Sequence, residues 1–332
     1  MIVIYLMIEF LWNLCKKILS CVKGANRVMN KEYINEFGIK IFAIAGFTRV
    51  LRKLKLSRAV KSYERFKYNS IIHWLDKRYG KEADKAIAEY TNRCKIQEDS
   101  PIWIFWWQGE KTMPPVVKSC YKSVLKNAEK HPVILITENN IKEYVDIPQY
   151  IYEKIKEKKM TFTHFSDILR ENLLYKHGGI WMDATIYMTA PFSKEMYKYE
   201  YYSIKGAFEE WEWTGFFQAA GKGNVFAKAV SHLFNCYWKE HDCLISYLLI
   251  DCFLAVARRH SSVIDEMVND LPQKDSSIFV LNDQHLDETY NENTFEKLKG
   301  KSNIHKLSYK YPHFEESGGK KTFWGYLVEE GK

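Results

Sequence analysis

Between Pro101 and Thr137 the chain alternates continuous apolar runs with one amphipathic stretch. The run Pro101-Ile102-Trp103-Ile104-Phe105-Trp106-Trp107 is closed by Gln108-Gly109 and predicts the first buried strand of a parallel sheet. Pro114-Pro115 opens a helix to about Lys130, and His131 to Thr137 supplies a second strand, which together make a βαβ unit. From Thr163 the period becomes helical, with a hydroxyl N-cap, until Gly178-Gly179 provides the left-handed stop. Ile180-Trp181-Met182 is too short for a helix and reads as a strand, with Asp183 at its carboxyl end. Ile186 to Met188 is strand-like, Trp211 to Asn224 reads as a strand and Gly-rich turn, and helices follow from about Val225 to Lys239 and from Ile245 to Arg259. Upstream, Lys31 to about Glu98 reads as helices with polar connections, including Ser70 to Tyr90. The expected architecture is α/β with additional N-terminal helices.

Open α/β sheets bind ligands outside the carboxyl ends of their strands, so Asp183 is the first candidate for chemistry. A buried acid there needs a partner: a metal, a phosphate-bound cation or a sugar hydroxyl. Asp167 and Arg170 stand one helical turn apart on the preceding helix, but a pair at that spacing also serves as a solvated helix contact, and Gly178-Gly179 also serves as a plain C-cap.

Composition narrows the partner. The 332 residues are 46% hydrophobic, enough to fill a sizeable core, and 15% aromatic, which suits stacking on sugars or a base as well as packing. A net charge of +8 permits nucleic acid, an anionic membrane or a phosphate-bearing substrate. The basic residues at Lys16-Lys17, Arg49 to Arg58 and Lys61 to Lys67 are interleaved with apolar ones, which favours a membrane surface, and no nucleic-acid-binding signature accompanies them. The apolar stretch Met1 to Cys15 is interrupted by Glu9 and Asn13, too short to span a bilayer, and followed by Lys16-Lys17; it predicts an interfacial helix or one packed on the protein. Seven dispersed cysteines, with no CxxC pair, give neither a disulfide framework nor a zinc spacing, and Cys236, Cys243 and Cys252 read as small core residues. No P-loop is present, which disfavours a phosphotransferase.

Ser166-Asp167, Arg170, Gly178-Gly179, Trp181 and Asp183 resemble the DXD-type sugar transferases, specifically the capsular polysaccharide synthesis proteins and their family-32-like relatives among yeast mannosyltransferases and glucosylating clostridial toxins. The likeness extends more weakly from about Pro101 onward. It implies a GT-A-like, Rossmann-like nucleotide-sugar-binding domain over residues 99–332, beside a helical region at 31–98 and a membrane-interface segment at 1–30. It also implies that Asp167 and Arg170 face the donor's sugar and diphosphate, that Trp181 lies in the donor pocket, and that Asp183 contacts sugar or metal. The second acid of the motif is replaced by Thr185.

The resemblance implies further donor contacts at Trp106, Gln108 and Gly109, at Gly179 and Thr185, and at Lys306 and Lys310 in a late HKLSYK segment. Catalytic roles fall on Asp183, Arg170 and Gln218, and a divalent cation, manganese or magnesium, is expected to bind with the nucleotide on Asp183, Thr185 and His313. Asp251 stands as an acceptor contact or as a structural polar contact. The implied reaction is hexose transfer from a nucleotide-diphosphate sugar, UDP favoured, to a glycan or lipid-linked glycan of a surface polysaccharide. Retention of configuration is implied, at the cytoplasmic face of the plasma membrane. A non-catalytic sugar-binding or membrane-interaction protein that keeps the fold is the alternative.

Overall fold

The structure is a computed structural model that describes residues 27–53, 57–88, 93–205, 211–272 and 276–331. Most of the expected membrane-interface segment therefore lies outside the described residues. Among them no helix is long and apolar enough to cross a membrane.

Two long helices open the described chain: α1 (Arg27–Lys53), kinked at Gly38 where φ is 81°, and α2 (Ser57–Ala88). Then β1 (Ile102–Phe105), α3 (Pro115–Asn127) and β2 (Val133–Ile136) form the βαβ unit expected from the apolar runs, with β1 and β2 parallel. Helix α3 stops at Asn127 rather than near Lys130, and Glu129 just beyond takes a positive φ of 50° that no helix continues through. After α4 (Gln149–Lys156), α5 (Phe162–His177) leads into β3 (Gly179–Met182), then β4 (Ile186–Met188), β5 (Tyr201–Ser203) and β6 (Phe217–Ala220). The N-cap of α5 is Thr161 and not Thr163: its hydroxyl accepts from the His164 N–H, which places the start of the helix a half turn earlier.

Helices α6 (Val225–Glu240), α7 (Leu249–Arg259), α8 (Ser262–Asn269) and α9 (Glu292–Lys301) follow, then β7 (Ile304–Lys306), the short pair β8 (Glu316–Ser317) and β9 (Lys320–Lys321), and α10 (Phe323–Gly331). Helix α7 begins four residues after the expected Ile245. The Tyr237 hydroxyl accepts from the Ile245 N–H at 2.8 Å and donates to the Cys243 carbonyl at 2.6 Å, pinning that stretch as a connection.

The central sheet is mixed, in the order β2-β1-β3-β6-β5, with β1 parallel to both neighbours and β6 antiparallel to β3 and β5. β1 and β3 are buried throughout, as an apolar run without alternation requires. The chain leaves β1 for β2 on one side and returns to β3 on the other, so the crevice between the carboxyl ends of β1 and β3 is a topological switch point. The strand expected at Ile186 to Met188 forms but leaves this sheet and pairs antiparallel with β7. Helix α2 packs on α6 and α7, which joins the N-terminal helices to the sheet layer.

Candidate active site

The strand-end turns build the site. After β1 the chain turns at Trp106 to Gly109, where the Gly109 N–H donates to the Trp106 carbonyl at 3.0 Å and φ of Gly109 is 82°. After β3, Asp183 begins a second turn closed by the Ile186 N–H on its carbonyl at 2.9 Å. The β4–β7 pairing sets Lys306 opposite Ile186, and the Leu307 N–H donates to the Thr185 carbonyl at 2.9 Å. Trp106 to Gln108, Asp183 to Thr185 and Lys306 to Lys310 thus meet in a cleft of about 520 Å³.

Asp183 is the hub of the charges. Its Oδ1 accepts from the Trp181 indole N–H at 3.0 Å and lies 3.5 Å from Arg170 Nη2, while Oδ2 lies 3.6 Å from Lys306 Nζ. Lys306 also donates to the Thr185 hydroxyl, so the threonine in the second-acid position is engaged by an ammonium. The Arg170 guanidinium sits 4.9 Å above the Trp181 ring, with Nη1 3.1 Å from Asp167 Oδ1. Its side chain is 3% exposed, yet Nε makes no hydrogen bond. Gly215 allows this approach, since a Cβ there would stand 3.2 Å from Nη1.

A second chamber of about 430 Å³ opens beside the first, sharing Thr163, Ser166, Asp183, Tyr247 and Lys306 with it. It is lined by Asp167, Arg170 and Asp251, and by Glu64 and Tyr68 from α2. Burial pushes the Asp167 carboxyl up to about 7, against the pull of Arg170 and with the push of Asp183 and Asp251. Burial likewise raises Asp251 to about 7, partly offset by the hydrogen bond from the Trp213 indole N–H at 3.0 Å. Beneath them Glu171 is wholly buried with neither oxygen hydrogen-bonded, and burial lifts it to about 8, so it is mostly a neutral acid at pH 7. A larger groove beside Trp211, between α2, α7 and α8, holds cations that are already paired: Arg258 with Glu212 and Asp265, and Arg259 with Asp76.

The structure brings together Trp106, Gln108, Asp167, Arg170, Trp181, Asp183, Thr185, Lys306 and Lys310. Gly109, Gly179, Gln218 and His313 do not line either chamber. Gly179 begins β3, at the opposite end from Asp183; with φ of 108°, a Cβ there would come 2.4 Å from the Pro101 carbonyl, so the glycine permits close strand packing. Gln218 is fully buried on β6, paired in register with Trp181 and Ser203. His313 is held 3.0 Å from Asp287 and lies over the Trp324 ring at 4.8 Å, so the expected ligand set of Asp183, Thr185 and His313 is not assembled. Glu64, Tyr68 and Tyr309 line the chambers without having been expected there. An aromatic beside HKLS was a legible signal for Tyr309, whereas nothing local marks Glu64 or Tyr68.

A mixed α/β sheet thus carries aromatic, cationic and acidic side chains together at its switch point, where open sheets of this class bind ligands. The family described as capsular polysaccharide synthesis protein matches residues 52–327, and the chain belongs to it. It is also 25% identical over 185 residues to an O-glycosyltransferase, braB, of Annulohypoxylon truncatum. That alignment covers 48% of this chain and 43% of the relative, so the chain matches less than half of that protein's length.

Proposed function

We propose that the protein is a GT-A-like retaining hexosyltransferase that uses a nucleotide-diphosphate sugar, UDP favoured, in surface polysaccharide synthesis. The observation that carries this reading is the Arg170 guanidinium: buried, flanked by Asp167 and Asp183, and left with its Nε donor unsatisfied beside the second chamber. Buried donors of that kind cost free energy unless a ligand oxygen completes them. In the first chamber the Trp106 and Tyr309 rings, edge to face at 5.9 Å, offer a base platform, and Lys306 and Lys310 offer charge for the diphosphate. The second chamber, with its carboxyl groups, suits sugar hydroxyls, and its α2 wall of Glu64 and Tyr68 suits a glycan or lipid-linked acceptor.

Asp183 and Thr185 offer one carboxylate and one hydroxyl, both engaged by Lys306, so a hard divalent ion fits there only by displacing that ammonium and drawing its remaining ligands from the diphosphate and water. Bound there, manganese or magnesium would neutralise charge on the departing diphosphate. Arg170 and Lys306 serve the same developing charge from the protein side, and positioning of the acceptor does the rest. The reading includes residence at the cytoplasmic face of the membrane, on the motive of the apolar and basic N-terminal sequence.

The test is a panel of UDP- and GDP-sugars, each measured for hydrolysis and for thermal stabilisation, with and without manganese. Hydrolysis of one donor supports the enzyme. Stabilisation without turnover, even with candidate acceptors, would favour the non-catalytic sugar-binding alternative that Thr185 motivates.

A further inference from the structure

A second cluster of ligating side chains lies away from the cleft. His232 and Cys236 stand one turn apart on α6 and face Glu82 of α2. His232 Nε2 is 3.2 Å from Glu82 Oε2 and 3.6 Å from Cys236 Sγ, and the three ligating atoms lie within 4.8 Å of one another. Glu82 is fourteen residues beyond Tyr68 on the same helix, roughly 21 Å from the chamber wall at 1.5 Å per residue.

The separations match one ion. A tetrahedral zinc with bonds of about 2.0–2.1 Å to nitrogen, about 2.0–2.2 Å to oxygen and about 2.3 Å to sulfur spaces its N and O ligands about 3.3–3.5 Å apart, and its N and S ligands about 3.5–3.6 Å apart. The two observed edges, 3.2 and 3.6 Å, fall within a few tenths of an ångström of these values. One thiol, one imidazole and one carboxylate are also a borderline-soft set, suited to zinc and poorly suited to magnesium or manganese. Lys85 does not compete for the same atom, because its ammonium bonds Glu82 Oε1 at 2.6 Å and leaves Oε2 toward the histidine. The exposure of His232, 41% of its side chain, leaves room for a water as the fourth ligand.

We propose that Glu82, His232 and Cys236 form a zinc site that clamps α2 onto α6. Binding forms a Zn–S bond and releases the thiol proton to solvent, with no change of oxidation state. The thiol and imidazole bind zinc only in their deprotonated forms, so zinc affinity rises with pH. Because α2 also carries Glu64 and Tyr68, the ion would fix one wall of the second chamber from a distance.

The experiment is a zinc titration of the full chain against a chromophoric chelator, with cobalt as the spectroscopic probe. One tight site is expected, with a thiolate-to-cobalt charge-transfer band and tetrahedral ligand-field bands. Cys236→Ser should remove the charge-transfer band and weaken zinc binding at least tenfold, and His232→Ala should weaken it similarly. Zinc should raise Tm of the wild type and not of either variant, all measured without any sugar donor. Absence of zinc binding at micromolar concentration overturns the proposal, as does undiminished binding by both variants. If a variant does not fold, cobalt spectra of the wild type that lack the charge-transfer band overturn it equally.

Discussion

The Trp181 indole N–H donates to Asp183 Oδ1 at 3.0 Å across a single intervening residue. Side chains two apart share a face of a strand, and the indole turns beyond the strand end to meet the carboxylate. Arg170 lies over the same indole and 3.5 Å from the same oxygen, so the aromatic ring orients both charges.

Asp183→Asn should therefore abolish most transfer, by about 100-fold or more, while changing stability by about 1 kcal/mol or less. The side chain is 31% exposed, and Arg170 retains Asp167. Arg170→Lys should lower turnover at least tenfold, about 1.4 kcal/mol in the barrier, because one ammonium cannot span two carboxylates. Steady-state kinetics and a thermal melt of each variant decide; a folded Asp183→Asn variant with normal turnover would remove Asp183 from the mechanism.

Glu171 gives the stability a pH dependence. Its folded pKa, about 8, lies above that of an exposed carboxyl, so between roughly pH 4 and 8 the folded state binds more protons than the unfolded one. That stabilisation is complete below the unfolded pKa and is lost as pH rises through the folded one. Asp167 and Asp251, both raised to about 7, act in the same sense. Tm should fall from pH 5 to pH 8.5, and Glu171→Gln should lessen the fall, gaining most over wild type at the alkaline end. Parallel Tm curves for the two proteins would refute the role of Glu171.

Gly179→Ala tests a packing role against a donor-contact role. The added methyl meets the Pro101 carbonyl at 2.4 Å in a backbone conformation of positive φ, so the substitution should cost about 2 kcal/mol or more. Donor affinity of the remaining folded protein, measured well below Tm, should be near that of wild type. Intact stability with lost donor binding would reverse the assignment.

Metal and nucleotide should be linked. Manganese is expected to bind weakly alone and clearly with UDP or a UDP-sugar, each tightening the other by the same factor. Calorimetry in a Cys236→Ser background keeps the α2–α6 cluster out of the measurement. Nucleotide affinity indifferent to manganese and to chelator would contradict the linkage.

Removal of residues 1–24 should move the protein from the membrane fraction to the soluble one and leave donor hydrolysis intact. The motive is the apolar run followed by Lys16, Lys17 and Lys23. Fractionation and a melting curve check it: an insoluble product without a cooperative transition would place the segment in the core.

The βαβ unit and the Asp183 turn were legible because their signals are local: apolar runs of strand length, a proline helix start, and two glycines whose φ is positive in the structure. The Thr161 cap was displaced by two residues because Thr161 and Thr163 offer the same hydroxyl and only the backbone geometry distinguishes them. Lys306 was legible as a cation but not as a partner of Asp183, since β7 reaches β4 across more than a hundred residues. Glu64 and Tyr68 carried no local mark at all; the packing of α2 on α6 and α7 brings them to the chamber. Gln218 followed the opposite course: the family resemblance suggested a place beside the donor sugar, and on β6 it is fully buried, in register with Trp181 and Ser203.

The Lys306 ammonium on the Thr185 hydroxyl ties the two positions together across the β4–β7 pairing. An aspartate at 185 would meet that ammonium as a counter-ion and share it with Asp183, so a metal could take both carboxylates only by displacing the lysine. Engineering a two-acid turn therefore changes the turn's hold on its own lysine before it changes its hold on a metal, and position 306 has to be redesigned together with 185.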